Sequence, residues 1–163
     1  MQKITTFLTY KKGAEDAAKL YTSLFKNSRI VSTTRYGEGS PEPAGGVMTV
    51  EFELEGQRYV ALNADSPTFT FTDGISLSVS CDDQAEVDRL TEKLTAGGGE
   101  VGQCSWIKDR WGVAWQITPR VLGEMLGDKD PEKAKRVLQA MLKMKKIDIA
   151  ELKRAYAGET AKV

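Results

Sequence analysis

Gln116, in D-R-W-G-V-A-W-Q-I-T-P (109–119), and Asn63, in Y-V-A-L-N (59–63), are amides set among apolar neighbours on strand-like runs. Side chains of this type orient small molecules by hydrogen bonding, or serve as weak metal ligands. Stronger chemistry is scarce. The chain contains no histidine, so it lacks the commonest zinc, iron and nickel ligand and the commonest base near neutral pH. Its two cysteines, Cys81 and Cys104, lie outside any C-x-x-C spacing, and neither a disulfide framework nor a thiolate metal site is expected. Neither has a nucleophile signature: Cys81 ends a strand-like run and Cys104 has no base to pair with. Glu51, Glu53, Asp65, Asp82, Asp83 and Asp109 could move protons, but spacing ties none of them to a second catalytic group. Asp82-Asp83 reads as a helix N-cap and Asp109 as a turn residue.

Charge narrows the partners. The 163 residues carry 23 basic and 23 acidic side chains, which gives no electrostatic reason to expect nucleic acid or an anionic membrane. The N-terminal M-Q-K-I-T-T-F-L-T-Y lacks the charged and continuous apolar regions of a signal peptide. No apolar run approaches the ~20 residues that span a bilayer. The expectation is a cytoplasmic protein with no membrane and no nucleic-acid partner.

The elements that position these residues repeat along the chain. K-I-T-T-F-L-T-Y (3–10) alternates as a strand does, and residues 13–25 have apolar side chains at helical spacing. Three strand-like runs follow: R-I-V-S-T-T-R-Y-G-E, V-M-T-V-E-F-E-L-E-G and Q-R-Y-V-A-L-N-A-D. The first two are separated by a Gly/Pro-rich loop, the last two by a turn at Glu55-Gly56. The order then restarts. I-S-L-S-V-S-C (75–81) matches residues 4–10 at an offset of 75 − 4 = 71, and Val87, Leu90 and Leu94 match Ala17, Leu20 and Leu24 at an offset of 70. V-G-Q-C-S-W-I-K-D and G-V-A-W-Q-I-T-P are again strand-like. Two βαβββ units result, about 1–66 and 74–119, within a domain of residues 1–129. Two further helix starts lie beyond, Asp130-Pro131 and Asp148 with Glu151. They predict a helical extension over 130–163 that packs on the domain or on a partner subunit. Its apolar stripe is Val137, Leu138, Met141 and Leu142, with Met144 nearby, and Lys143, Lys145 and Lys146 are read as a solvated face.

The paired βαβββ units, the helix A-E-D-A-A-K-L-Y and the ending D-R-W-G-V-A-W-Q-I resemble the vicinal oxygen chelate superfamily of glyoxalases, bleomycin-resistance proteins and extradiol dioxygenases. The likeness is closest to its PhnB-like branch and extends over residues 2–157, including the tail R-V-L-Q-A-M-L-K-M-K-K-I-D-I-A-E-L-K-R-A-Y. The resemblance implies an α+β fold, the glyoxalase/bleomycin-resistance fold, in which two βαβββ units form a curled mixed sheet that cups a cavity, within a homodimer. It also places the superfamily's four metal-ligand positions on Thr6, Ala61, Gly74 and Gln116, the alignment of V-A-L with W-Q-I giving Ala61. That set offers one amide, one hydroxyl and two side chains that cannot coordinate, where a catalytic divalent site takes about three ligands. No metal and no other cofactor is therefore expected.

Members of this branch are labelled 3-demethylubiquinone-9 3-methyltransferase-like. A methyl donor such as S-adenosylmethionine needs a Gly-rich turn between strand and helix, yet Gly97 to Gly99 follow a helix and G-E-G-S-P-E-P-A-G-G joins two strands. The preferred expectation is a protein that binds a small organic ligand in the sheet cavity through Gln116, Asn63, Thr6, Trp106 and Arg35, with Thr118, Tyr36 and Trp115 nearby. The alternative is an enzyme: a metal-dependent lyase, isomerase or dioxygenase, or the methyltransferase of the label. Asn63 and Gln116 have a second reading, as amides that satisfy buried strand-end backbone groups.

Overall fold

The computed structural model describes residues 2–159 and divides into two units between Thr70 and Phe71. Each unit carries its own four-stranded mixed sheet. The first contains β1 (Thr6–Tyr10), α1 (Ala14–Leu24), β2 (Arg29–Arg35), β3 (Val47–Leu54) and β4 (Gln57–Asn63). Its strand order is β1-β4-β3-β2. β1 runs parallel to β4, which the intervening crossover helix permits, and the other two pairs are antiparallel. The turn between β3 and β4 has Glu55 at φ 46° and Gly56 at φ 82°, the two left-handed residues of a type I′ hairpin.

Alternation along these strands gives each sheet a helix-covered face and an open face. Leu8 and Tyr10 on β1, Val50 and Phe52 on β3, and Tyr59 and Ala61 on β4 are buried with Ala17, Ala18 and Tyr21 of α1. The hydroxyls of Tyr10 and Tyr21 meet at 3.2 Å, and the rings of Phe52 and Tyr59 stack at 5.4 Å. Full burial of side chains of this size contributes about 1.5–3 kcal/mol each.

The second unit repeats the topology with β5 (Leu77–Cys81), α2 (Gln84–Thr95), β6 (Glu100–Val101), β7 (Trp106–Lys108) and β8 (Ala114–Pro119). Its order is β5-β8-β7-β6, with β5 parallel to β8. Val87, Leu90 and Leu94 of α2 pack with Cys81, Ile107, Trp115 and Ile117 as its buried residues. Gly99, after α2, is fixed by space: a Cβ there would lie 2.4 Å from the Lys108 carbonyl oxygen and 2.6 Å from Thr95 Cα.

The structure departs from the sequence reading at three places. The strand expected over V-G-Q-C-S-W-I-K-D is broken by a 3₁₀ turn at Gln103–Ser105, where Cys104 and Ser105 have φ of 55° and 59°. Two left-handed residues in succession end a strand, and no glycine announces them. The strand expected from Ile75 begins at Leu77. A helix not expected from the sequence, α3 (Arg120–Leu126), follows Pro119 directly.

The two anticipated tail helices form as α4 (Pro131–Met141) and α5 (Ile149–Ala157). Asp130 accepts from Glu132 N and Lys133 N, and Asp148 accepts from Glu151 N. Such caps contribute about 0.5–2 kcal/mol each. Leu122, Met125, Val137, Met144, Ile147 and Leu152 form one core among the three helices. The stripe expected on α4 is therefore divided: Val137 and Met144 are buried, whereas Leu138 and Leu142 are exposed. Lys143 and Lys145 are exposed, and exposed Lys146 pairs with Asp88 at 2.6 Å.

Candidate functional site

The residues singled out in the sequence fall into two groups. In the first unit, β1 and β4 pair Thr6 with Tyr59, Leu8 with Ala61 and Tyr10 with Asn63. Partners in register share a face, so Thr6 and Asn63 belong to the face that packs on α1. Asn63 has a defined task there. Its Oδ1 accepts from Ala14 N at 2.9 Å, and its Nδ2 donates to the Val47 carbonyl at 3.0 Å. Gly13, at the N-cap of α1, offers no side chain, so Asn63 caps the helix from 49 residues away. Arg35 is exposed at the end of β2 and donates to the Gly45 carbonyl at 2.9 Å. Tyr36 donates to the Asn63 carbonyl at 2.5 Å.

Part of the open face of this sheet carries ion pairs, and exposed Phe7 lies on the same face. Arg29 and Arg58 both reach Glu53, at 2.9 and 3.1 Å, and Arg58 also reaches Glu51 at 2.9 Å. Ser32 donates to Glu51 at 3.3 Å. Arg29, donating to it, is the first cause holding the Glu53 carboxyl below the usual range.

In the second unit the remaining two residues come together. Gln116 is the direct cross-strand partner of Trp106 on β7 and of Ser78 on β5. Ser78, Gln116 and Trp106 therefore form one row across three strands of the open face, with Ser80 and Thr118 in the next row. Gln116 donates to Ser76 Oγ at 2.9 Å. Trp106, 36% exposed, borders a cavity of about 480 Å³ whose walls include Asp73, Glu100, Gln103, Cys104 and Lys108. Lys108 is held by Asp73 at 3.2 Å. Trp115, one residue before Gln116, necessarily points to the opposite face. It is 1% exposed.

Asp109, read as a turn residue, has a larger role. At 2% exposure its carboxylate accepts from Trp111 N and Val113 N, both at 3.0 Å, and from Trp115 Nε1 at 3.1 Å. It thereby fixes the β7–β8 turn, where Gly112 is left-handed at φ 90°, and so the register that sets Trp106 opposite Gln116. The signal was the spacing Asp109…Trp115, whose meaning depends on burial.

The equivalence of Gln116 with Ala61 also requires correction. At the strand offset of 71, Leu8 corresponds to Val79. Leu8 pairs with Ala61 and Val79 with Ile117, so Ala61 matches Ile117 and Gln116 matches Val60. A one-residue slip of pairing exchanges the two faces, and Ala61, 0% exposed, lies in the core.

These placements do not fit a superfamily-type metal centre. Thr6 and Ala61 share the face packed on α1, Gly74 has no side chain, and Gln116 is engaged by Ser76. Among the described residues, no three His, Cys, Asp or Glu side chains are grouped to hold a metal ion. The thiol of Cys81 is pushed up to about 12 by burial, far from a thiolate at neutral pH. For a methyl donor, α1 begins with its Ala14 amide taken by Asn63 and with Glu15 and Asp16 in its first turn. The N-terminus of α2 is taken by Asp83, which accepts from Glu86 N. No helix among the described residues is long and apolar enough to cross a membrane.

Comparison with known proteins identifies the family of the chain. A family profile described as 3-demethylubiquinone-9 3-methyltransferase matches residues 2–118. The structure of a PhnB protein from Bacillus cereus is 38% identical, with a TM-score of 0.62, over 72% of this chain and 99% of the other. A Pseudomonas aeruginosa protein of solved structure is 23% identical, with a TM-score of 0.58, over 73% and 98% of the two chains. The fosfomycin resistance protein FosX from Listeria monocytogenes, solved with Mn(II) and sulfate, is 19% identical over 71% and 90%, at a TM-score of 0.48. No curated protein matches. The chain thus belongs to the PhnB-like family described as 3-demethylubiquinone-9 3-methyltransferase.

Proposed function

We propose that this protein binds a small organic molecule against the open face of its second sheet, in the cavity beside Trp106, without a divalent cation held by its side chains. The observation that carries the reading is the row Ser78–Gln116–Trp106, in which two neutral hydrogen-bonding side chains lead to an indole that borders a cavity of about 480 Å³. Small-molecule sites are typically about 300–1,000 Å³, with apolar or aromatic walls and a few placed polar groups. Lys108 already has a counter-ion in Asp73, so a ligand need bring no charge to balance it. The ligand lies along the indole of Trp106, and Gln116 and Ser78 fix its orientation by hydrogen bonds.

The test is a thermal-shift screen of the full chain against aromatic and heterocyclic fragments, S-adenosylmethionine, and Zn²⁺, Mn²⁺, Ni²⁺ and Fe²⁺. A fragment at 100 times its Kd raises stability by about 2.7 kcal/mol, and Trp106→Ala abolishes the shift. A comparable shift from a cation, or from S-adenosylmethionine with fragments inert, would replace this reading with the metal-enzyme or methyltransferase one.

A further inference from the structure

The wall of the cavity formed by Gln103 and Cys104 is not held by the sheet. β6 ends at Val101 and β7 begins at Trp106. The intervening turn is closed by two local bonds, Gly102 N donating to the Trp106 carbonyl at 2.7 Å and Trp106 N donating to the Gln103 carbonyl. Its left-handed residues, Cys104 and Ser105, are ones that non-glycine side chains adopt at a cost and that persist when the surroundings over-determine them. What over-determines them comes from the tail. Cys104 N donates to the Met144 carbonyl at 2.8 Å and Ser105 N to the Lys145 carbonyl at 2.6 Å. Ile147 N returns a hydrogen bond to Ser105 Oγ at 2.8 Å, and Cys104 Sγ lies 3.6 Å from the Met141 carbonyl.

The segment between α4 and α5 is gripped from its other side by α2. Gln84 donates to the Ile147 carbonyl at 3.0 Å and accepts from Ile149 N at 2.9 Å, while Lys146 pairs with Asp88. The family match ends at Thr118, before α3. The Bacillus cereus relative is spanned over 99% of its length by only 72% of this chain.

We infer that residues 144–147 act as a strap that sets the Cys104 wall of the cavity, with Ser105 as the positioning residue. The inference rests on the cavity being the binding site and names what determines its shape: a segment carried by the C-terminal helices rather than by the βαβββ units.

Cys104 is itself the probe. Cys81 is 0% exposed and its thiol is pushed up to about 12, so a chromogenic aromatic disulfide reagent reports on Cys104. Cys104 is partly exposed and borders the cavity, so its labelling rate in the folded, full-length protein sets a baseline that rises when the strap releases the turn. Ser105→Ala removes the acceptor of Ile147 N. Gln84→Ala loosens the strap from the side away from the cavity. Each is expected to speed Cys104 labelling about tenfold, the signature of a local opening. Tyr10→Phe, which removes the hydroxyl pair of Tyr10 and Tyr21 in the first unit, leaves the rate within about twofold at matched fractions folded. The inference is overturned if Ser105→Ala and Gln84→Ala label at the wild-type rate, or if Tyr10→Phe labels as fast as they do. Labelling needs no ligand, so this outcome is read separately from whether the Trp106 face binds one.

Discussion

The two units share one topology and differ in what fills it. Beneath α1, Tyr10 and Tyr21 fill the first unit and join through their hydroxyls. At the corresponding positions of the second unit, offset by 71 and 70, stand Cys81 and Thr91. Both are buried, and Thr91 Oγ1 has no hydrogen-bond partner. The first unit caps its helix with a distant amide, Asn63; the second uses Asp83 at the N-cap itself. The open faces differ most. One carries the ion pairs of Arg29, Arg58, Glu51 and Glu53 beside exposed Phe7, the other presents Ser78, Gln116 and Trp106. Duplicated topology thus places strands in the same way twice, and the residues of the open face make the two copies chemically different.

The largest expected effect that would break this comparison is in the second unit alone. Asp109→Ala leaves Trp111 N, Val113 N and Trp115 Nε1 without their carboxylate acceptor. The expected loss is about 3–5 kcal/mol in urea unfolding, with the Trp106–Gln116 register lost before the first unit unfolds. Asn63→Ala is the reciprocal probe of the first unit. It removes the cap on Ala14 N and the bond to Val47, for about 1–2 kcal/mol. Amide exchange should rise in α1 and remain unchanged in α2. If α2 responds equally, the units do not behave as separate bodies of structure.

The buried thiol gives a pH-dependent difference. Burial, the first cause, raises the folded Cys81 pKa to about 12 from 9.0, so the folded state retains a proton that the unfolded chain releases. The stabilisation is complete below about pH 9 and is lost as pH rises from there through about 12. Over that window, wild-type stability should fall more steeply than that of Cys81→Ala, by up to about 1.4 kcal/mol per pH unit. Equal slopes would mean that the thiol is not buried in solution. The smallest effect is a gain: Thr91→Val replaces an unpartnered hydroxyl by a methyl and is expected to add about 1 kcal/mol. The same change at a hydroxyl with a partner would destabilise.

Local patterns made much of the fold legible. The restart of the pattern at Ile75 gave the two βαβββ units, and the caps at Asp130 and Asp148 located α4 and α5, because capping is a rule of adjacent residues. What escaped was set by tertiary contact. Asn63 is committed to Ala14, 49 residues away, and no spacing announces that. Asp109 has the composition of a turn residue, and only the buried indole of Trp115 makes it a fastener. The left-handed pair Cys104–Ser105 carries no glycine and is held by the backbone of residues 144 and 145. The Ala61 equivalence failed by one residue, enough to exchange faces. Of the five candidate binding residues named from the sequence, Gln116 and Trp106 are set side by side by β7 and β8.

The most direct test of the account reads the three indoles, Trp106, Trp111 and Trp115, in a ¹⁵N-correlated NMR spectrum while aromatic fragments are titrated into metal-free protein. The account predicts that fragments shift the Trp106 indole resonance together with the Gln116 side-chain amide, while the indole of buried Trp115 stays in place, and that Gln116→Ala weakens binding without unfolding the chain. Fragments that leave Trp106 unmoved and shift only residues of the first unit would contradict it.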